Sequence, residues 1–118
     1  MKAVLLISHG SRSQKTKAEV VSLVKHLKQK SGIIIFEYAF LEIESPTIPQ
    51  GIDLCVQKGA TEIVILLNFL NAGQHVDADI PRIVKVAAKK YPKINFRLTA
   101  PVGQHPQIGR LFLDLIKS

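Results

Sequence analysis

The sequence predicts an α/β domain built on a four-stranded parallel sheet of order 2-1-3-4, with helices on both faces. Three observations carry that expectation. Four apolar segments alternate with four amphipathic ones. Two of the apolar segments are unbroken hydrophobic runs, as strands buried on both faces require. The alternation of strand and helix then calls for right-handed crossovers between parallel neighbours.

The unbroken runs are residues 3–7 and 63–67, which therefore take the central positions. Residues 33–40 start the same way and then alternate through Phe36, Glu37, Tyr38 and Ala39; residues 94–98 alternate throughout. Alternation implies one wetter face, so these two strands belong at the edges. Between the strands, Val20, Leu23, Val24 and Leu27 recur at helical spacing, as do Ile48, Ile52, Cys55 and Val56. A less regular third helix over residues 80–90 places Ile80, Val84 and Ala87 on one face, and a fourth carries Ile108, Leu111, Phe112 and Leu115. Pro49 and Pro81 fall in first helical turns, where the missing N–H costs nothing. Gly59 sits where a left-handed residue closes the second helix.

Length and composition narrow the class. The 118 residues make a single domain, 1–118, with 47% hydrophobic and 21% charged residues. No stretch approaches the ~20 apolar residues of a membrane span. The apolar start lacks a small-residue cleavage site, and Cys55, the one cysteine, forms neither a disulfide nor a cysteine-rich zinc site; both features predict a cytoplasmic protein. The net charge of +7 favours polyanions: nucleic acid, anionic lipid or a multiply carboxylated small molecule. Nucleic acid is disfavoured, since there is no recognition-helix pattern and the aromatics are five phenylalanines and two tyrosines, most of them in apolar runs.

In the order 2-1-3-4 the topological switch point lies between strands one and three, and open α/β sheets bind ligands there, beyond the carboxyl ends of the strands. Strand one runs into Ser8-His9-Gly10-Ser11-Arg12 and strand three into a loop with Gly73-Gln74-His75-Val76. Each loop carries one histidine beside glycine, which lets backbone and ligand approach. Strand two runs into Glu42, with Glu44 as a competitor for the same role. Two imidazoles and a carboxylate from three adjacent strand ends suit a divalent metal with coordination positions left open. Asp77 and Asp79 precede the third helix and read as capping and dipole partners. His26 reads as exposed surface, and His105 as the start of the last helix. Phosphate-loop, dinucleotide and nucleophile-elbow signatures are absent.

Taken together, Ser8-His9-Gly10-Ser11-Arg12, Phe40-Leu41-Glu42 with Pro46 and Pro49, Gly73-Gln74-His75-Val76 with Asp79-Ile80-Pro81, and Ala100-Pro101-Val102-Gly103-Gln104-His105-Pro106 resemble the class II tetrapyrrole chelatases. The chain is most similar to the short, single-domain sirohydrochlorin cobaltochelatases of CbiX type, along essentially its whole length. It departs from their pattern at Gln74 and Asp77. The resemblance implies a chelatase-like (flavodoxin-like) fold and ATP-independent insertion of a divalent metal into sirohydrochlorin, in a cobalamin or siroheme-type route. Co²⁺ is the expected metal, with Ni²⁺ or Fe²⁺ as alternatives, and no cofactor beyond that substrate metal is implied. It also implies that His9 and His75 hold the metal and that Glu42 assists as ligand or proton acceptor. The expected partners are the tetrapyrrole, the metal ion and a second copy of the chain, with no nucleic acid and no membrane. Longer chelatases contain two such domains across a cleft, which a homodimer would rebuild. The alternative outside enzymes is a metal carrier or regulatory module of the same fold.

Overall fold

A computed structural model describes residues 1–118, and the elements follow the predicted alternation. They are β1 (Lys2–Ser8), α1 (Gln14–Ser31), β2 (Ile35–Phe40), α2 (Ile48–Gln57), β3 (Glu62–Leu67), α3 (Ile80–Lys90), β4 (Asn95–Leu98) and α4 (Ile108–Lys117). The four-stranded sheet has the order β2-β1-β3-β4 and every pair is parallel. As their alternation predicted, β2 and β4 lie at the edges. None of the helices is long and apolar enough to cross a membrane.

Local chemistry sets the boundaries. Gly32 ends α1 in the left-handed conformation (φ 71°), its N–H donating to the Lys28 carbonyl, and Lys28 and Lys30 meet the negative end of the helix dipole. The turn that follows delays β2 to Ile35. Thr47 and Gln50 form a reciprocal capping box at the start of α2, with proline in its first turn. Gly59 follows that helix at φ 103°, the expected left-handed closure.

The two faces of the sheet are unequally covered. α2 and α3 pack on one face over a core of 16 buried residues, including Leu5, Ile7, Ile52, Ile63, Ile65 and Ile80. Gly51 lets α2 come close, because a Cβ there would stand 2.8 Å from Leu5 Cδ1 and 3.0 Å from Ala39 Cβ. Under α1, on the opposite face, the core has only 7 buried residues, so this face is thin. α4 buries none of its residues, although its apolar spacing predicted a packed helix.

Parallel strands bring the carboxyl ends of β1, β2 and β3 to one rim. Pairing continues past the strands: Leu41 N–H donates to the Ser8 carbonyl (2.9 Å), Glu42 N–H to the His9 carbonyl (3.1 Å), and Asn68 N–H to the Ile7 carbonyl (2.9 Å). The first residues of the three exit loops are thereby held side by side.

Candidate metal centre

His9, Glu42 and His75 meet on that rim. One ligand atom from each lies within 4.8 Å of the others. Ligands about 2.1 Å from a shared ion stand ~3–4 Å apart, so small side-chain rotations would close the set around a divalent cation. The three side chains are close to half exposed: 47% for His9, 50% for Glu42 and 46% for His75. His9 Nε2 and Glu42 Oε1 are 2.7 Å apart, and the two imidazole rings are 5.2 Å apart between centroids, tilted by 57°.

Each member has a local reason for its place. Gly10 has φ 105°, and a Cβ there would lie 1.9 Å from the Glu42 carbonyl oxygen. Glycine was expected to let backbone and ligand approach here; the structure shows the backbone approach, which draws Glu42 against His9. Ile43 takes φ 74° while Glu44 N–H donates to the Glu42 carbonyl at 2.8 Å, a tight and strained reversal for a β-branched residue. Glu44 is not a rival ligand: its Oε1 accepts the Ser11 N–H at 2.7 Å and ties the β2 exit to the β1 exit. Below His9, Ser8 is buried, and its hydroxyl accepts from Asn68 Nδ2 at 3.0 Å.

The segment around His75 corrects two expectations. His75 stands in a single wide helical turn, His75–Asp79, that runs straight into α3, rather than in an open loop. Asp79 makes no side-chain cap. Its Oδ2 accepts from His75 Nδ1 at 2.9 Å while its Oδ1 accepts from Arg82 at 3.3 Å. A carboxylate on Nδ1 fixes the imidazole tautomer and leaves Nε2 with its lone pair free for a metal. Asp79 is thus the site residue that sequence reasoning missed. Its signal was the four-residue spacing from His75, which is informative only once the segment is known to be helical. Asp77 is exposed in the first turn of the same segment, consistent with a dipole partner.

The remaining histidines stay apart. His26 is exposed on α1, as expected. His105 does not begin α4; it follows the short 3₁₀ turn Val102–Gln104, is exposed, and its Nδ1 accepts the Gln107 N–H at 3.1 Å.

The chain has known relatives in sequence and in fold. Residues 3–118 match the CbiX family. The chain is 40% identical over 119 residues to the sirohydrochlorin cobaltochelatase of Priestia megaterium, covering all of this chain (100%) and 37% of that protein. It is 36% identical over 113 residues to the chloroplastic sirohydrochlorin ferrochelatase of Arabidopsis thaliana, covering 96% and 48%. The chain therefore spans less than half the length of these curated relatives. Among solved structures it is similar to the sirohydrochlorin chelatase SirB from Bacillus subtilis subspecies spizizenii in complex with cobalt, with a TM-score of 0.90 and 31% identity over 98% of this chain and 50% of that one. By sequence and by fold, this chain belongs to the CbiX family.

Proposed function

We propose that residues 1–118 act as one chelatase domain that inserts a divalent metal ion into sirohydrochlorin without ATP, with Co²⁺ as the ion. The observation that carries this reading is the meeting of His9, Glu42 and His75 on the switch-point rim with their ligand atoms within 4.8 Å. Insertion requires an ion to be stripped of water, held over a macrocycle and released while two pyrrole N–H protons leave. Two neutral imidazoles bind a first-row divalent ion firmly and still exchange it, and three ligands leave coordination positions for the macrocycle nitrogens. In this reading His9 and His75 are the metal ligands, and Glu42 takes pyrrole protons as well as lending an oxygen. The net charge of +7 favours approach of a carboxylate-rich tetrapyrrole. Imidazole and carboxylate ligands do not discriminate Co²⁺ from Fe²⁺ or Ni²⁺, and the similar proteins include both a cobaltochelatase and a ferrochelatase.

The reading includes a second copy of the chain across the rim. Its support is the resemblance to longer chelatases, in which two such domains face each other across a cleft that a two-fold partner would rebuild.

The test is anaerobic absorbance of sirohydrochlorin with the protein and Co²⁺, Ni²⁺ or Fe²⁺ in turn. Spectral conversion faster than the protein-free control is expected, fastest with Co²⁺. His9→Ala and His75→Ala should each abolish the acceleration and leave the fold intact. Metal binding without acceleration for any ion would reject the enzyme and leave a metal carrier.

A further inference from the structure

Three of the four histidines follow the carboxyl ends of strands, and their ring nitrogens are set differently. His75 Nδ1 lies 2.9 Å from the Asp79 carboxylate, which leaves Nε2 as its acceptor nitrogen. His9 meets the Glu42 carboxylate through Nε2 at 2.7 Å. His105 is the reverse case. The Gln107 backbone N–H donates to His105 Nδ1 at 3.1 Å, and an amide N–H can only donate. Nδ1 therefore supplies the lone pair, and the neutral ring carries its proton on Nε2. Such a ring has no free nitrogen for a metal, since Nδ1 is taken by the backbone and Nε2 is a donor. His105 accordingly stands outside the set formed by His9, Glu42 and His75.

The β4 exit puts this donor on the same rim. Past β4, Thr99 N–H donates to the Ile65 carbonyl at 3.0 Å and Thr99 Oγ1 accepts from Leu67 N–H at 3.4 Å. Gly103 N–H then donates to the Phe69 carbonyl at 3.0 Å, and a Cβ on Gly103 would stand 1.7 Å from the Leu70 carbonyl oxygen. Pro101, between them, is buried. Residues 99–103 thus run alongside 65–70, and His105 follows beside the loop that leads on to His75. Its N–H donates to the Val102 carbonyl at 3.1 Å, and its own carbonyl accepts from Ile108 N–H at 3.0 Å. The backbone of His105 is held on both sides while its side chain is exposed.

An oriented N–H donor with no partner in its own chain calls for an acceptor from outside. His9 and His75 each pair with a carboxylate of the chain, whereas His105 pairs with none. A macrocycle centred on an ion between His9 and His75 extends past the ion on every side and carries its carboxylates at its edge, over the neighbouring exit loops. A carboxylate is the acceptor that a single N–H donor binds best. We propose that His105 binds a peripheral carboxylate of the tetrapyrrole through Nε2–H, and so fixes how the ring is set on the rim without touching the metal. The inference rests on the sirohydrochlorin reading given above and adds a substrate contact to it.

Two substitutions separate the two nitrogens, because asparagine sets its side-chain oxygen where Nδ1 stands and glutamine sets its amide nitrogen close to Nε2. His105→Asn keeps an acceptor for Gln107 N–H and loses the outward donor; His105→Gln does the opposite. Fluorescence titration with metal-free sirohydrochlorin should give a dissociation constant roughly tenfold weaker for His105→Asn and within about twofold of wild type for His105→Gln. In insertion assays the same factor should appear in KM for sirohydrochlorin, with kcat and the Co²⁺ dissociation constant unchanged. Wild-type tetrapyrrole binding by His105→Asn would overturn the proposal. A larger loss in His105→Gln would also overturn it and make the residue a turn cap only. Weaker Co²⁺ binding in His105→Asn would overturn it by placing His105 in metal handling. Tetrapyrrole binding that weakens in His105→Asn, in a protein that inserts no metal, would uphold the contact while the chelatase reading failed. No tetrapyrrole binding by wild type would overturn both.

Discussion

Asp79→Ala isolates the contribution of a residue that touches no proposed ligand atom on the metal side. Asp79 Oδ2 lies 2.9 Å from His75 Nδ1, a contact that favours one tautomer and one ring orientation and leaves Nε2 as the nitrogen for a metal. Without the carboxylate the ring rotates freely, Nδ1 competes for the ion, and ligand basicity falls. Loss of such an outer partner typically weakens metal binding roughly 10- to 100-fold, which is about 1.4 to 2.7 kcal/mol. The fold should hardly respond, because the His75 and Arg82 side chains paired with Asp79 are 46% and 68% exposed and open pairs contribute under about 1 kcal/mol. Calorimetric titration of Co²⁺ into wild type, Asp79→Ala and Arg82→Ala separates the effects. Arg82 bonds only the other carboxylate oxygen, so its loss should leave affinity within a few-fold of wild type. A Co²⁺ dissociation constant for Asp79→Ala within twofold of wild type would refute the orienting role.

The remaining predictions follow from particular contacts. Gly10→Ala places a Cβ against the Glu42 carbonyl at φ 105° and should cost roughly 2–4 kcal/mol in urea unfolding, with loss of Co²⁺ affinity as Glu42 moves off His9. Glu42→Gln keeps an oxygen ligand and loses a base, so it should slow insertion far more than it weakens Co²⁺ binding; insertion at the wild-type rate would show that protons leave by another route. Asp53 accepts from the Tyr91 hydroxyl at 2.6 Å and from Lys90 at 3.2 Å, and the tyrosine bond above all holds its carboxyl below the ordinary value against the opposing effect of burial. A depressed acid stabilises the fold above its unfolded-state value of ~3.9 and loses that contribution as the pH falls through the folded value. Tyr91→Phe should therefore lower the urea midpoint at pH 7 and converge on wild type in strong acid; equal midpoints at pH 7 would reject this.

Strand order was legible because it follows from burial: runs wet on neither face belong at the centre, and alternating runs belong at the edge. The three proposed ligands were legible because chain order alone delivers His9, Glu42 and His75 to adjacent strand ends. What the sequence concealed depends on geometry finer than periodicity. Asp79 looks like a capping residue when the helix is started at Ile80, and becomes a partner of His75 only when the helical turn begins five residues earlier. Gly10 was read as room for backbone or ligand, and only the structure shows that the close backbone is the Glu42 carbonyl. The stripe on α4 suggested a packed helix, yet none of its residues is buried: a hydrophobic pattern says that a face is apolar and not that something covers it.

The exposure of the proposed ligand set bears on how such a site could work. A closed shell of four buried ligands retains its ion, and retention is the opposite of what insertion needs. Here the three proposed ligands, two from loops and one from a helical turn, are each about half open to solvent, so an ion could arrive and leave by ligand exchange without unfolding the rim. His9 Nε2 and Glu42 Oε1 stand 2.7 Å apart, so one cation could bind between them. In the chelatase reading, passing the ion to the macrocycle would free these two atoms beside the reacting nitrogens, where Glu42 could accept one of the two departing pyrrole protons and water the other. In that reading His75, whose Nδ1 is bonded to Asp79, would be the oriented ligand. The two histidines differ in their partners: a carboxylate beside a strained turn for His9, and a carboxylate four residues along the same helical segment for His75.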